Sequence, residues 1–381
     1  MYGRTNEGQS PRGAIVLFLV YHLTLNSPDG QSQGLGVPNP FTDYVKFLPK
    51  DILLPTFYTP EEREMLVGTS LAEALDQKLS SLSKEYDTLK EATEQLPWCQ
   101  RLWWDDADEG ASLTLDDWKL ADALYRSRAL EIPKGQDVGM VPIVDMANHA
   151  SDDRWNARFD MIDEEGGAFL LVVRDERSMA PGEEITIRYG VGGACEMIFS
   201  YGFLEKQASN AREIFLSLSI PADDPLRLAK IHFAQEAPGV RVFTDEAGHV
   251  RWDSTFVWWA CVNQEDGLDF QVAQTVDGDR DLKALWKQSE LRAEDLPAKL
   301  LEDELHHVFA LRAVVLIQQR IEAQALELAA GDAKVDHGTP SANVREDVWK
   351  TVGRLRKLER ELLMAAYETL ENEVGPSRTL F

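Results

Sequence analysis

The chain of 381 residues sets 65 acidic against 39 basic side chains, a formal net charge of −26. Such a surface repels phosphate backbones, which argues against a direct nucleic-acid binder and for a basic partner, such as a lysine-rich protein segment. Apolar residues at 44% and charged residues at 27% describe a globular chain with room for two or three domains. The three cysteines, Cys99, Cys195 and Cys261, form no CxxC pair and no Cys/His cluster, so no structural zinc site is expected. Their odd, sparse number fits a reducing compartment, cytoplasm or nucleus. Nothing in the composition sets an oligomeric state.

Residues 14–25 are strongly apolar but only twelve long, too few to span a bilayer as a helix, so a buried helix and no membrane association are expected. Pro28, Pro38, Pro40, Pro49, Pro55 and Pro60 break the next stretch into loops. Thr59-Pro60-Glu61-Glu62 is a helix start with proline at the first helical position. Leu71, Leu75, Leu79 and Leu82 then recur at helical spacing. Thr114 is the predicted N-cap of a helix that carries Leu120, Ala123 and Leu124 toward Arg128.

Residues 138–146 form an apolar run suited to a buried strand. Residues 168–173 and 184–189 are strand-like and joined through Ala180-Pro181-Gly182-Glu183, a turn with proline and glycine where a hairpin wants them. The middle of the chain is thus a β-rich module of short strands. After Leu204 the pattern is mainly helical, except for a hairpin over residues 240–252 that turns at Asp245-Glu246-Ala247-Gly248. Two long amphipathic helices close the chain. Leu301, Leu305, Val308, Leu316 and Ile321 mark one; Val348, Val352, Leu355, Leu362, Ala366 and Leu370 mark the other. Residues 331–345 between them read as a mobile polar loop.

Three segments stand out in order: Ser127-Arg128-Ala129, Val141-Pro142-Ile143-Val144-Asp145-Met146-Ala147-Asn148-His149, and Ser200-Tyr201-Gly202-Phe203-Leu204-Glu205. Between the last two runs Ala180-Pro181-Gly182-Glu183-Glu184-Ile185-Thr186-Ile187-Arg188-Tyr189-Gly190. Singly these are ordinary: an Asn-His pair is mostly a turn, and Tyr-Gly-Phe after a helix can be a core aromatic with a glycine C-cap. Jointly, their order and spacing resembles the C-terminal half of a SET domain, and more closely the Rubisco large-subunit methyltransferase subfamily. Phe47-Leu48-Pro49-Lys50, Pro55-Thr56-Phe57-Tyr58 and Leu66-Val67-Gly68-Thr69-Ser70-Leu71 resemble the helical insert of that subfamily.

The resemblance implies an α+β fold: a β-rich SET core, a helical insert and a mainly helical C-terminal domain. Residues 1–120 would hold a pre-insert helix and the insert, 121–210 the C-terminal half of the SET domain, and 211–381 the substrate-binding domain. It further implies transfer of a methyl group from S-adenosylmethionine to a lysine of a protein substrate. A lysine amine attacks only when neutral, and its reference pKa near 10.4 leaves a deficit of roughly 4 kcal/mol at neutral pH. An apolar channel and a nearby sulfonium both reduce that deficit, and in-line geometry does the rest.

By the resemblance, the Tyr201 hydroxyl orients the amine and is the catalytic group. Asn148, the main chain at His149, and Arg128 hold the cofactor. Asp145 and Tyr189 lie on the substrate side, although Tyr189 can equally be a core residue and Asp145 a partner for a backbone amide. Apolar Leu130 and the intact Tyr201 fit a lysine acceptor better than the histidine acceptor of one relative. The subfamily also carries an N-terminal SET segment with a Gly-x-Gly cofactor loop ahead of the insert. No match to it precedes residue 13, and Gly34-Leu35-Gly36 falls at the wrong place in the order. Two readings follow: a shortened version of a working enzyme, or a SET-derived scaffold that binds a basic protein.

Overall fold

The structure is a computed structural model that describes residues 10–28, 39–104, 113–131, 138–151, 154–161, 169–173, 179–234, 237–274, 280–332, 335 and 339–374. Gly34-Leu35-Gly36 lies outside the described residues. Contacts divide the chain into two compact units, one of residues 1–59, 73–191 and 196–207, the other of 60–72, 192–195 and 208–381.

In the first unit, helix α1 (Pro11–Asn26) starts where Ser10 accepts the Gly13 N–H and Pro11 supplies a ready-made φ. Val16, Leu17, Leu19 and Val20 are buried, so the expected buried helix is present. Helix α2 (Pro40–Phe47) opens on an Asn39/Thr42 capping box. Helix α3 (Ser70–Thr93) buries Leu75, Leu82 and Leu89, one face at seven-residue spacing. Helix α4 (Leu115–Arg128) starts on the predicted cap, with Thr114 and Asp117 exchanging bonds in a second capping box. Trp103 and Trp118 fill the core that these helices share. Around its edge, Arg12 and Lys78 reach Asp122 at 2.7 Å each, and Arg126 approaches at 3.4 Å. Burial pushes the Asp122 carboxyl up, but Lys78 and Arg126 outweigh it and hold it below the usual carboxylate range.

The strands of this unit are short and paired two by two. Strand β1 (Leu130–Glu131) runs antiparallel to β2 (Val138–Gly139), and β4 (Ala157–Met161) antiparallel to β5 (Phe169–Val173); β3 (Asn148–His149) runs parallel to β6 (Thr186–Ile187). Two expectations change here. Residues 138–146 are no buried strand: Pro142 and a positive φ at Ile143 end the extended backbone, and Val144–Met146 closes as a 3-10 turn. The segments around Ala180-Pro181-Gly182-Glu183 form no hairpin either, since β5 pairs back to β4 and β6 pairs with β3. The turn itself is as expected, with Glu183 N–H on Ala180 O at 3.0 Å and Gly182 at φ +87°.

Two glycines in this unit carry positive φ for different reasons. Gly202 caps helix α5 (Ala194–Tyr201), and a Cβ there would meet the Leu53 carbonyl at 2.3 Å; at Gly182 a Cβ would meet nothing within 4 Å.

The second unit contains the short helix Pro60–Glu64 and two three-stranded antiparallel sheets. One sheet joins β7 (Glu213–Ser217), β8 (Gly239–Thr244) and β9 (Val250–Asp253), with the expected turn closed by Gly248 N–H on Asp245 O. The other joins β10 (Leu268–Gln274), β11 (Arg280–Trp286) and β12 (Ser289–Leu291); the sequence reading takes this stretch as helical, although Leu268-Asp269-Phe270-Gln271-Val272 alternates with the period of a strand. Helices α6 (His306–Asp332) and α7 (Glu346–Val374) are the two long amphipathic ones. Phe309, Ala313, Ile317, Ile321 and Leu328 form the core face of α6, whereas Leu301 and Leu305 precede that helix and are exposed. Gly331 and Asp332 are helical; of the predicted loop, residues 333–334 and 336–338 lie outside the described residues. Among the described residues no helix is long and apolar enough to cross a membrane.

Buried charges tie this unit together. Arg345 pairs with the fully buried Glu62 at 2.6 Å, and Arg356 donates to the carbonyls of Met65, Val67 and Leu328 while pairing with Asp332. Glu359 accepts the Ser70 N–H at 3.1 Å and the Ser70 hydroxyl at 2.5 Å, both residues belonging to this unit. Burial pushes the Glu359 carboxyl up to about 7, against the Ser70 bonds and Arg356 that pull it down.

These features predict two behaviours. The folded Glu359 binds its proton more tightly than the unfolded chain does at the ordinary 4.5. Its stabilisation is therefore full below pH 4.5 and is lost as pH rises through 7, a change of about 3 kcal/mol. The wild-type minus Glu359→Gln difference in urea unfolding free energy should fall by that amount from pH 4.5 to 8. Separately, Gly202→Ala should cost more than about 2 kcal/mol because backbone must move, while Gly182→Ala should cost only about 1 kcal/mol of φ strain. Denaturant titrations of the two variants compare them directly.

Candidate active site

Helix α4 ends at Arg128 because Ala129 turns extended, and this delivers the guanidinium to the start of β1. Fifteen residues later the chain reverses at Ile143, φ +77° and ψ −48°, a conformation costly for a β-branched side chain. Ile143 itself is left 83% exposed, but the reversal turns Asp145 inward to 5% exposure. Arg128 Nη1 donates to the Asp145 carbonyl at 2.9 Å and lies 3.8 Å from its carboxylate. Tyr44, on helix α2, donates its hydroxyl to Asp145 Oδ2. Asp145 Oδ1 and Arg128 Nε are buried with no hydrogen-bond partner. Burial pushes the Asp145 carboxyl up, with the Tyr44 bond and Arg128 acting against it.

Tyr189 follows β6 and reaches back to donate its hydroxyl to the Ala147 carbonyl at 2.8 Å. Tyr201 is the last residue of α5 and donates its hydroxyl to the Tyr189 carbonyl at 3.1 Å, the two rings tilted at a centroid distance of 4.8 Å. Burial keeps both phenols above their ordinary value, so both are neutral at physiological pH. With its proton committed to a carbonyl, the Tyr201 oxygen retains lone pairs and acts as an acceptor.

Arg128, Asp145, Tyr189 and Tyr201 line one cavity of about 180 Å³, with Leu130 and Phe159 among its walls. Asn148 and His149 are not among the lining residues. The Asn148 carboxamide is exposed and donates to Glu184 Oε1 at 2.7 Å. The His149 ring is buried, with Nε2 3.1 Å from Glu205 and Nδ1 accepting the Tyr189 N–H at 3.2 Å. The expected residues thus form two groups, a substrate-like cavity and an outer edge on β3. The sequence reading missed Tyr44, Glu184 and Glu205 as site residues: Glu184 and Glu205 sit inside quoted motifs, but nothing marks Tyr44 in sequence.

A volume near 180 Å³ is below the roughly 300–1,000 Å³ of pockets that enclose a whole small-molecule ligand. The cavity is therefore of side-chain size and too small to enclose a whole nucleoside cofactor. The orphaned Arg128 Nε and Asp145 Oδ1, and the exposed amide of Asn148, supply the donors and acceptor that such a pair of ligands requires. In this sense the residues fit S-adenosylmethionine and an amine.

No protein-family model matches the chain. Its sequence is 28% identical to SET domain-containing protein 8 of Schizosaccharomyces pombe, over 75% of this chain and 62% of that protein. It is 26% identical to the Pisum sativum ribulose-1,5 bisphosphate carboxylase/oxygenase large subunit N-methyltransferase, over 50% of this chain and 38% of that one. A Salmo salar N-lysine methyltransferase setd6 shares 28% identity over 42% of this chain and 34% of its own length. The chain thus spans less than two thirds of these relatives. Among solved structures, Rubisco LSMT bound to AdoMet superposes with a TM-score of 0.61 at 17% identity, covering 94% of this chain and 74% of that one. The SET domain of LSMT bound to lysine and AdoHcy follows with a TM-score of 0.56 at 18% identity, with the same coverage of each chain. The chain therefore shares the fold of the Rubisco large-subunit methyltransferase and is similar in sequence to a SET domain-containing protein and to protein N-methyltransferases.

Proposed function

We propose that this chain is part of an S-adenosylmethionine-dependent protein-lysine N-methyltransferase. The observation that carries the reading is Tyr201, which lines a cavity of side-chain size while its hydroxyl proton is held by the Tyr189 carbonyl. S-adenosylmethionine supplies an electrophilic methyl group on a sulfonium. The protein supplies position and environment. The Tyr201 oxygen accepts one amine N–H and so aims the nitrogen lone pair along a set direction. The Tyr189 and Phe159 walls and Leu130 keep water out and favour the neutral amine. Asp145 Oδ1, without a partner, attracts the ammonium as it enters. Since the phenol of Tyr201 is neutral, the residue orients the amine and does not deprotonate it.

Asn148, Arg128 and the main chain at His149 would hold the cofactor's polar groups, with Glu184 as the partner that fixes the Asn148 amide. The apolar Leu130 favours lysine as the acceptor over histidine. The net charge of −26 favours a basic protein segment as substrate. The three cysteines, free in the structure, favour a cytoplasmic or nuclear setting. On the same reading, residues 121–210 are the C-terminal half of the SET module and residues 211–381 the substrate-binding domain.

Two measurements test this. Isothermal titration with S-adenosylhomocysteine should give saturable heat, and no heat at high protein concentration would rule the reading out. Tyr201→Phe should lower kcat for methyl transfer from labelled S-adenosylmethionine by about 10²-fold or more, with S-adenosylhomocysteine affinity unchanged. Wild-type turnover in that variant would remove Tyr201 from the mechanism.

A further inference from the structure

The His149 imidazole and Glu205 form a buried pair whose side chains do not themselves line the cavity. Their side chains are 3% and 6% exposed, with Nε2 and Oε1 3.1 Å apart. A buried polar pair of this kind rarely adds stability over an apolar pair of the same size, so its geometry is the informative feature. The Tyr189 backbone N–H points at His149 Nδ1 from 3.2 Å. An N–H donates only to a nitrogen that carries no proton, so Nδ1 is bare and Nε2 bears the hydrogen that Glu205 accepts. A doubly protonated ring would set two donors face to face at Nδ1.

Residue 189 is consequently held on three sides. Its N–H is fixed by His149, its carbonyl by the Tyr201 hydroxyl and its own hydroxyl by the Ala147 carbonyl. The rings of His149, Tyr189, Tyr201 and Phe203 pack between these bonds at centroid distances of 4.8–6.3 Å. Glu205 lies four residues after Tyr201, across the Gly202 cap, so one short motif supplies both the hydroxyl and the carboxylate at the far end of the chain of bonds.

We propose that Glu205 and the His149 side chain are positioning residues for Tyr201, acting through the Tyr189 backbone. Glu205 selects the Nε2–H tautomer, that tautomer anchors the Tyr189 N–H, and the anchored carbonyl sets where the Tyr201 oxygen stands. The proposal rests on the methyltransferase reading for its effect on turnover and on geometry alone for the tautomer.

The test uses the full chain, wild type and the variants Glu205→Gln and Glu205→Leu. Long-range ¹H–¹⁵N NMR, assigned for this histidine by difference from His149→Asn, should show bare Nδ1 and protonated Nε2 in wild type and in Glu205→Gln, whose amide oxygen still accepts. Glu205→Leu should show a mixture of tautomers. In methyl-transfer assays Glu205→Gln should keep kcat within about threefold, while Glu205→Leu should lose at least about tenfold in kcat with KM and S-adenosylhomocysteine affinity held within about twofold. A protonated Nδ1 in wild type overturns the proposal, and so does wild-type kcat in Glu205→Leu. If Glu205→Leu fails to fold, a tenfold loss in Glu205→Gln overturns it instead. An absence of turnover in wild type, with the tautomer as expected, counts against the methyltransferase reading and leaves the bonded chain standing.

Discussion

The cavity depends on where one residue of backbone stands. Tyr189 follows a strand of only two residues, too short to hold its own position by ladder bonds. Its place is set instead by three hydrogen bonds to groups that are remote in sequence. Each of those bonds joins part-buried polar groups. The position of the Tyr201 hydroxyl is thereby set on segments with little regular structure.

The second constraint is the reversal at Ile143. A β-branched residue at positive φ stores strain of order 1–3 kcal/mol, and an Ile that is mostly exposed recovers none of it by burial. What the reversal delivers is a carboxylate directed inward, bonded by Tyr44 on one oxygen and left open on the other. Where an apolar run might have continued as a strand, the fold gives up regular pairing and places a charge beside the cavity.

The second unit shows the same economy in a structural role. Glu62 is buried on a segment that the sequence reads as a helix start, Arg356 and Glu359 on a helix that it reads simply as amphipathic, and each finds its partners on segments far away in sequence. Buried pairs of this kind add little net stability but leave only one satisfactory arrangement, since a slipped helix would strand a charge. That helps explain how α6 and α7, whose apolar faces alone would tolerate several registers, keep one.

Much of this was determined by local chemistry and could be read from the chain. The Thr114 cap, the buried α1, the Asp245–Gly248 turn and the two long helices follow from periodicity, capping residues and turn residues, which act over a few positions. The ordered motifs likewise pointed to the SET-type fold; of the residues they single out, Arg128, Asp145, Tyr189 and Tyr201 line one cavity, and Asn148 and His149 do not. Tertiary structure decided the rest. The parallel pairing of Asn148 with Thr186, the exposure of the Asn148 amide, the tautomer of His149 and the hydroxyl of Tyr44 on Asp145 all join residues tens of positions apart. No local pattern encodes such bonds, because each arises only when folding brings two unmatched polar groups out of water together.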